Sequence, residues 1–76
     1  MERAISLART YFAKRVITKY ENAIHIAMAC LAEAEYFLTW NEEHLLKGKV
    51  VEKLSKLNQS LGIKTPKIVK PEDFRL

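Results

Sequence analysis

The segment of residues 23–41 constrains the fold of this chain more than any other. It opens with a run that is apolar on nearly every side of a helix, which is typical of a helix covered by protein all round: Ala23, Ile24, Ile26, Ala27, Met28, Ala29, Leu31 and Ala32. Residues 36–39 then favour β structure and predict a central strand. Ligands of open α/β sheets bind just beyond the carboxyl ends of strands, so Thr39, Trp40 and Asn41 mark the expected site.

The length and composition predict one small domain that needs a partner. A chain of 76 residues, read as a single domain of residues 1–76, buries only about 60% of the surface of its unfolded state. With 49% hydrophobic residues, it has more apolar surface than it can hide alone, and oligomerisation is the usual remedy. We therefore expect a homodimer.

The same composition indicates a soluble cytoplasmic protein. The single cysteine, Cys30, lies on the apolar helix and predicts a buried, inert thiol in a reducing compartment. The charged first residues lack the apolar region of a signal peptide, and no apolar run is long enough to span a membrane. The net charge of +4 is evenly spread and only weakly indicates nucleic acid.

Apolar periodicity predicts two further helices. One runs from residue 2 to about residue 15, and the β-branched Val16, Ile17 and Thr18 predict a break before the apolar helix begins between Tyr20 and Asn22. The other is predicted to begin at the N-cap Asn41 and to end at Gly62, with Gly48 marking either a kink or a late start. Its apolar stripe consists of Leu46, Val50, Leu54, Leu57 and Leu61, with the lysines facing away.

A second short strand, residues 67–69, is predicted before Pro71. The order helix, helix, strand, helix, strand predicts an α/β fold with a short two-stranded parallel sheet and a right-handed crossover. Parallel sheets are normally covered on both faces, and the outer edges of this pair would be unpaired. We therefore expect the fold to be completed by a partner, most simply through dimerisation.

Three segments of residues 20–76 carry a resemblance to a known family. Residues 20–27, YENAIHIA, are similar to a helix of the pattern Asp-Ala-x-His-Ile-Ala, and residues 37–45, FLTWNEEHL, to a segment Leu-x-Thr-Trp-Asn-x-x-His-Leu. Residues 62–73, GIKTPKIVKPED, are similar to a closing Gly-x-x-Thr-Pro-x-Ile-x-x-Pro-Glu-Glu. These patterns belong to the PIN-domain family, metal-dependent ribonucleases that include the VapC-type toxins of toxin–antitoxin pairs. The resemblance implies a truncated chain that corresponds to the C-terminal half of a PIN-like domain.

The resemblance also implies where a catalytic metal would be held. The family's chemistry needs several carboxylates around Mg²⁺ or Mn²⁺, which activates a water against a phosphodiester. The family's helix Asp falls on Asn22, and its loop position, Asp in many members and Asn in one subgroup, falls on Asn41. The family's other acids lie in an N-terminal half that this chain does not contain. We therefore expect no metal and no cofactor, with Mg²⁺ or Mn²⁺ bound only if a partner supplies the missing acids.

Three residues after Asn41 are weaker candidates for a site. Glu42 and Glu43 complement the positive end of the third helix, which accounts for them without a metal, although they could face an ion from the loop. His44 could approach Asn41 or a phosphate, but a role at the helix terminus is favoured.

Ordinary structural roles are expected for the remaining polar and aromatic candidates. Glu21 is interpreted as a solvated or capping carboxylate, Glu35 as a surface residue, and His25 as a hydrogen-bonded core residue. Trp40 is interpreted as closing a core strand, with base stacking as the less favoured alternative. The lysines of the third helix are interpreted as its solvated face rather than as a strip that contacts phosphates.

Three hypotheses for function follow. The favoured one is a truncated PIN-like chain without nuclease activity of its own, which persists as a remnant or as a binding or assembly module. The second is half of a split metal-dependent ribonuclease of the toxin–antitoxin type, whose missing acids come from an N-terminal-half protein or a neighbouring copy, with an antitoxin as a further partner. The third is a small helical module that binds RNA or protein through its third helix.

Overall fold

The computed structural model describes residues 2–40 and 47–73, and their order of elements confirms the predicted α/β arrangement. Three helices and two short strands follow one another in the predicted sequence, and a turn of 3-10 helix closes the described part. In chain order the elements are α1 (Glu2–Ala13), α2 (Tyr20–Leu31), β1 (Tyr36–Leu38), α3 (Gly48–Ser60), β2 (Lys67–Val69) and the 3-10 turn (Pro71–Asp73).

β1 and β2 form a parallel pair, as predicted. Three residue pairs lie opposite each other: Tyr36 and Lys67, Phe37 and Ile68, Leu38 and Val69. The ladder continues past both ends of β1, because the Lys67 N–H donates to the Glu35 carbonyl (2.8 Å) and the Thr39 N–H donates to the Val69 carbonyl (3.0 Å). The sheet of the described residues has only these two strands, so β1 is not the central strand that its composition predicted.

The core lies between the helices. α1 packs against α2, and each helix contributes apolar side chains at the three-and-four spacing that keeps them on one face. The buried residues are Ala4, Leu7, Ala8 and Tyr11 of α1, Val16 and Ile17 of the following loop, Ala23, Ile26, Ala27 and Cys30 of α2, and Leu54 of α3. Several of them are alanines, which lets α1 and α2 approach closely. Phe37 and Ile68 bring the inner face of the sheet against this core.

The prediction that α2 is covered on all sides is wrong for this chain. Only the face with Ala23 and Cys30 is buried, whereas Met28 and His25 are exposed. The physical reason is the small number of layers: α1 and α3 cover one side of α2, and no described element covers the other. Apolar periodicity shows which face of a helix could be buried. It does not show whether another element is present to bury that face.

All three helices end in a Schellman motif, in which a residue of left-handed backbone conformation follows the last turn. That residue is Arg15 after α1 (φ 57°), Glu33 after α2 (φ 58°) and Gly62 after α3 (φ 72°). In α1 the Val16 N–H donates to the Tyr11 carbonyl at 2.9 Å. The corresponding bonds of α2 and α3 run from Ala34 to Ala29 (3.0 Å) and from Ile63 to Asn58 (2.8 Å). The predicted stop at Gly62 is confirmed, whereas Arg15 and Glu33 occupy positions that favour glycine.

α3 begins at Gly48, with Lys47 in the N-cap position. The late start is therefore the correct alternative for Gly48, and the predicted cap Asn41 and the stripe residue Leu46 lie outside the described residues. Of the remaining stripe, Leu54 is buried and Leu57 is partly buried, but Leu61 is exposed. No described helix is long and apolar enough to cross a membrane.

Candidate functional site

Asn22, the position that the resemblance assigns to a metal ligand, lies in the first turn of α2. The Asn22 side chain is partly buried, and its Nδ2 atom is buried without a hydrogen-bond partner. An amide nitrogen is a donor and cannot ligate a cation, so any ligation by Asn22 would have to use its neutral Oδ1 atom. We derive no metal-dependent step from it.

The other predicted site residues, Asn41, Glu42, Glu43 and His44, lie outside the described residues. Within residues 2–40 and 47–73, no group of three or more His, Cys, Asp or Glu side chains could hold a metal ion.

Two of the structural roles predicted for single residues are wrong. His25 is exposed and is not a core residue. Trp40 is 71% exposed and does not close a core strand; its Nε1–H donates to a carboxylate oxygen of Glu72 at 3.3 Å. Both errors arise because the elements formed by residues 2–40 and 47–73 leave these two side chains exposed. The predictions that Glu21 and Glu35 are solvated are confirmed.

Four polar side chains form a cluster inside the core, which we call the Tyr11–Asn58 cluster. Its members are Tyr11, Cys30, Asn58 and Thr65. The Tyr11 hydroxyl donates to Asn58 Oδ1 at 2.5 Å and lies 3.6 Å from Cys30 Sγ. Asn58 Nδ2 donates to Thr65 Oγ1 at 2.9 Å and lies 3.5 Å from Cys30 Sγ. Tyr11 and Asn58 are fully buried, so the amide of Asn58 is satisfied entirely by protein.

The cluster is held neutral by its burial. Removal from water raises the pKa of the Tyr11 hydroxyl, its hydrogen bond with Cys30 raises it further, and only the hydrogen bond with Asn58 lowers it. Burial likewise raises the pKa of the Cys30 thiol, against the opposing effect of the hydrogen bonds with Tyr11 and Asn58. The prediction that Cys30 is buried is confirmed. A neutral, enclosed thiol is not a nucleophile, so we assign the cluster a structural role.

Sequence reasoning missed this cluster, although one signal was present. Asn58 follows Leu54 by four residues and therefore lies on the apolar face of α3, where a polar residue needs a buried partner. Its partner Tyr11 is 47 residues away in the chain, and no local pattern connects the two.

The outer face of the sheet is an apolar surface that the described residues leave partly open. Successive side chains of a strand point to opposite faces. Phe37 and Ile68 therefore share the inner face and pack on the core, while Tyr36 and Leu38 lie on the outer face, 46% and 48% exposed. We use the name outer sheet face for Tyr36, Leu38 and their β2 neighbours Lys67 and Val69.

The lysines of α3 lie in solvent, as predicted. Lys47, Lys49, Lys53 and Lys56 are all exposed, and Lys56 forms an ion pair with Glu52 one turn earlier (3.2 Å).

Comparison of the chain with protein-family models, with curated proteins and with solved structures found no match. The resemblance to the PIN-domain family rests on the three sequence segments alone.

Proposed function

We propose that the chain is a PIN-like module without nuclease activity of its own and that it acts through assembly, forming a homodimer across the outer sheet face. The observation that carries the proposal is that a parallel sheet presents two large side chains, Tyr36 and Leu38, to solvent, with about half of each exposed. Parallel sheets are normally buried on both faces.

The lack of nuclease activity is argued from Asn22. A neutral amide stands where the resembling family has a carboxylate, and the buried atom of that amide is a donor nitrogen without a partner. A hard divalent ion needs anionic oxygens, so the loss of one charge weakens binding even if other acids are supplied in trans.

A second copy of the chain is the simplest occupant of the outer sheet face. A twofold axis brings the same patch of both copies together, so an apolar face is complementary to itself. Tyr36 and Leu38 supply the apolar centre of such a contact and the exposed Lys67 lies beside them in β2, which matches the apolar core and polar rim of known interfaces.

The assembly can be tested by light scattering at high protein concentration, where we expect a dimer of twice the 8.8 kDa chain mass. Leu38→Lys should give a monomer, because it places a charge in the centre of the contact. Leu61→Lys is a matched control: Leu61 is also 48% exposed but lies at the end of α3, outside the sheet. A monodisperse monomer of the unmodified chain, or equal effects of the two substitutions, would contradict the proposal.

The lack of activity can be tested with single-stranded RNA and Mn²⁺, where we expect no cleavage. Cleavage that disappears in Glu42→Gln or Glu43→Gln would support the split ribonuclease instead. Binding of RNA without turnover, and with a steep dependence on salt, would support the RNA-binding module.

A further inference from the structure

A basic pocket lies between the α1–α2 loop and the first turns of α3. Its volume is about 200 Å³. The apolar part of its lining comes from Val16, which is buried, and Val50, which is partly buried. Its charged lining consists of Arg15, Lys47, Lys49 and Lys53. The loop and the helix thus bring together cations that are more than 30 positions apart in the sequence.

The charge of this pocket is not balanced by the described residues. Its described lining contains four cations and no carboxylate. The ion pair between Lys56 and Glu52 uses residues outside the pocket lining. Like charges held around one cavity repel each other. An anion inside the pocket would remove this repulsion.

Two backbone features favour an anion at the same place. Arg15 has a φ of 57°, a conformation that costs an arginine about 1–2 kcal/mol more than right-handed backbone, and this residue lines the pocket. α3 begins here, and the side chain of its N-cap residue, Lys47, makes no capping hydrogen bond. The first N–H groups of a helix have no partner within the helix and carry partial positive charge.

We propose that this pocket binds the phosphate group of a compact anion. Arg15 can hold two phosphate oxygens with its forked donors, while Lys49 and Lys53, one turn apart on α3, supply point charges. The pocket is smaller than the roughly 300–1,000 Å³ of sites for drug-sized ligands, so it would enclose a phosphate or diphosphate group and leave any larger remainder of the ligand outside. The group can come from free diphosphate or from the end of a nucleotide. The proposal does not depend on dimer formation.

The test is a titration of the full chain, followed by the amide resonances in ¹H–¹⁵N spectra at constant ionic strength. The probes are inorganic phosphate, inorganic diphosphate and ATP. We expect saturable shifts confined to residues 15–18 and 47–53. The double substitution of Lys49→Gln and Lys53→Gln should weaken diphosphate binding by about tenfold or more. Lys56→Gln is the matched control on the same helix and should change the affinity less than about twofold.

Arg15→Gly provides a variant in which loss of binding cannot be attributed to misfolding. Glycine removes the backbone strain at this position, so this variant should be thermally more stable than the unmodified chain while it binds diphosphate more weakly. ATP that binds more tightly than diphosphate, with shifts at the same amides, would identify a nucleotide as the source of the phosphate. Tighter binding of diphosphate than of ATP would identify the free anion.

Three results would overturn the proposal. The first is the absence of saturation by diphosphate or ATP below about 10 mM. The second is an equal loss of affinity in Lys56→Gln, which would indicate general screening of a basic surface. The third is binding of an oligonucleotide without terminal phosphates while diphosphate leaves the spectrum unchanged, which would make the pocket part of a nucleic-acid surface.

Discussion

Removal of the Tyr11 hydroxyl should destabilise the chain far more than the loss of one oxygen atom suggests. Tyr11→Phe keeps the ring in the core but leaves the fully buried Asn58 Oδ1 without its 2.5 Å partner. An unsatisfied buried acceptor costs about 1–3 kcal/mol. For a chain of 76 residues, each 1 kcal/mol corresponds to about 6 °C in Tm. We therefore expect Tm to fall by about 6–18 °C.

A double-mutant cycle separates the hydrogen bond from packing. Asn58→Leu alone leaves the Tyr11 hydroxyl with only the sulfur of Cys30, at 3.6 Å, and should cost a similar amount. When Tyr11 and Asn58 both become apolar, neither leaves the other unpaired, and the loss of the Asn58–Thr65 hydrogen bond is common to the single and double Asn58 variants. The double variant should therefore lose less than the sum of the single variants. We expect a coupling free energy of about 1–2 kcal/mol.

The measurement is urea and thermal unfolding followed by circular dichroism. Tyr20→Phe serves as the control, because it removes the hydroxyl of an exposed tyrosine and keeps the ring that packs edge-on against Phe12 at 5.9 Å. It should change the free energy of unfolding by less than about 0.5 kcal/mol. Equal effects of Tyr11→Phe and Tyr20→Phe, or strict additivity in the cycle, would refute the reasoning.

Three further predictions follow from helix ends and buried groups. Arg15→Gly and Glu33→Gly should each raise the free energy of unfolding by about 0.5–1 kcal/mol, and Gly62→Ala should lower it by about 1 kcal/mol, all measured in urea. The Cys30 thiol should react with an alkylating reagent only through unfolding, so denaturant that increases the unfolded fraction should accelerate labelling in proportion. Folding raises the pKa values of Cys30 and Tyr11 above their ordinary 9.0 and 10.0, so unfolding releases protons in alkali. Stability should be intact below about pH 9 and fall above it, less steeply in Cys30→Ala, as measured by urea unfolding at several pH values.

The bounds of the elements were predictable because they depend on neighbouring residues. The β-branched Val16 and Ile17 lie in the loop that separates α1 from α2, and β2 ends at Val69, two residues before Pro71. Gly62 adopts the left-handed backbone that a helix end requires. Each of these signals acts within a few residues of its effect, so a single sequence was enough to read it.

The exposure of particular side chains was not predictable in the same way. His25 and Trp40 were expected to be covered and are exposed, because coverage depends on elements that pack from elsewhere in the chain or from another molecule. The end of α1 shows a related limit: Arg15 is a poor residue for left-handed backbone, and nothing in its own residue type indicates that a helix ends there.

The candidate site was predictable only in part. Asn22 lies in the first turn of α2, and the helix begins within the span expected from the sequence, between Tyr20 and Asn22. Its orphaned Nδ2 atom could not have been predicted, since it depends on what packs around the helix. The basic pocket could not be predicted from the sequence either. Helical periodicity places Lys49 and Lys53 on one face of α3, but it does not place Arg15 in the same pocket.

The Tyr11–Asn58 cluster implies that folding of this chain does not depend on the assembly proposed above. The cluster joins α1, α2, α3 and the loop before β2, and it contains no residue of the outer sheet face. A helical core whose polar groups are satisfied internally does not need a partner to remain ordered. The outer sheet face, by contrast, carries apolar side chains, Tyr36 and Leu38, that the described residues leave about half exposed. Leu38→Lys should therefore abolish dimerisation and leave unaltered the coupling between Tyr11 and Asn58, measured at concentrations where the chain is monomeric.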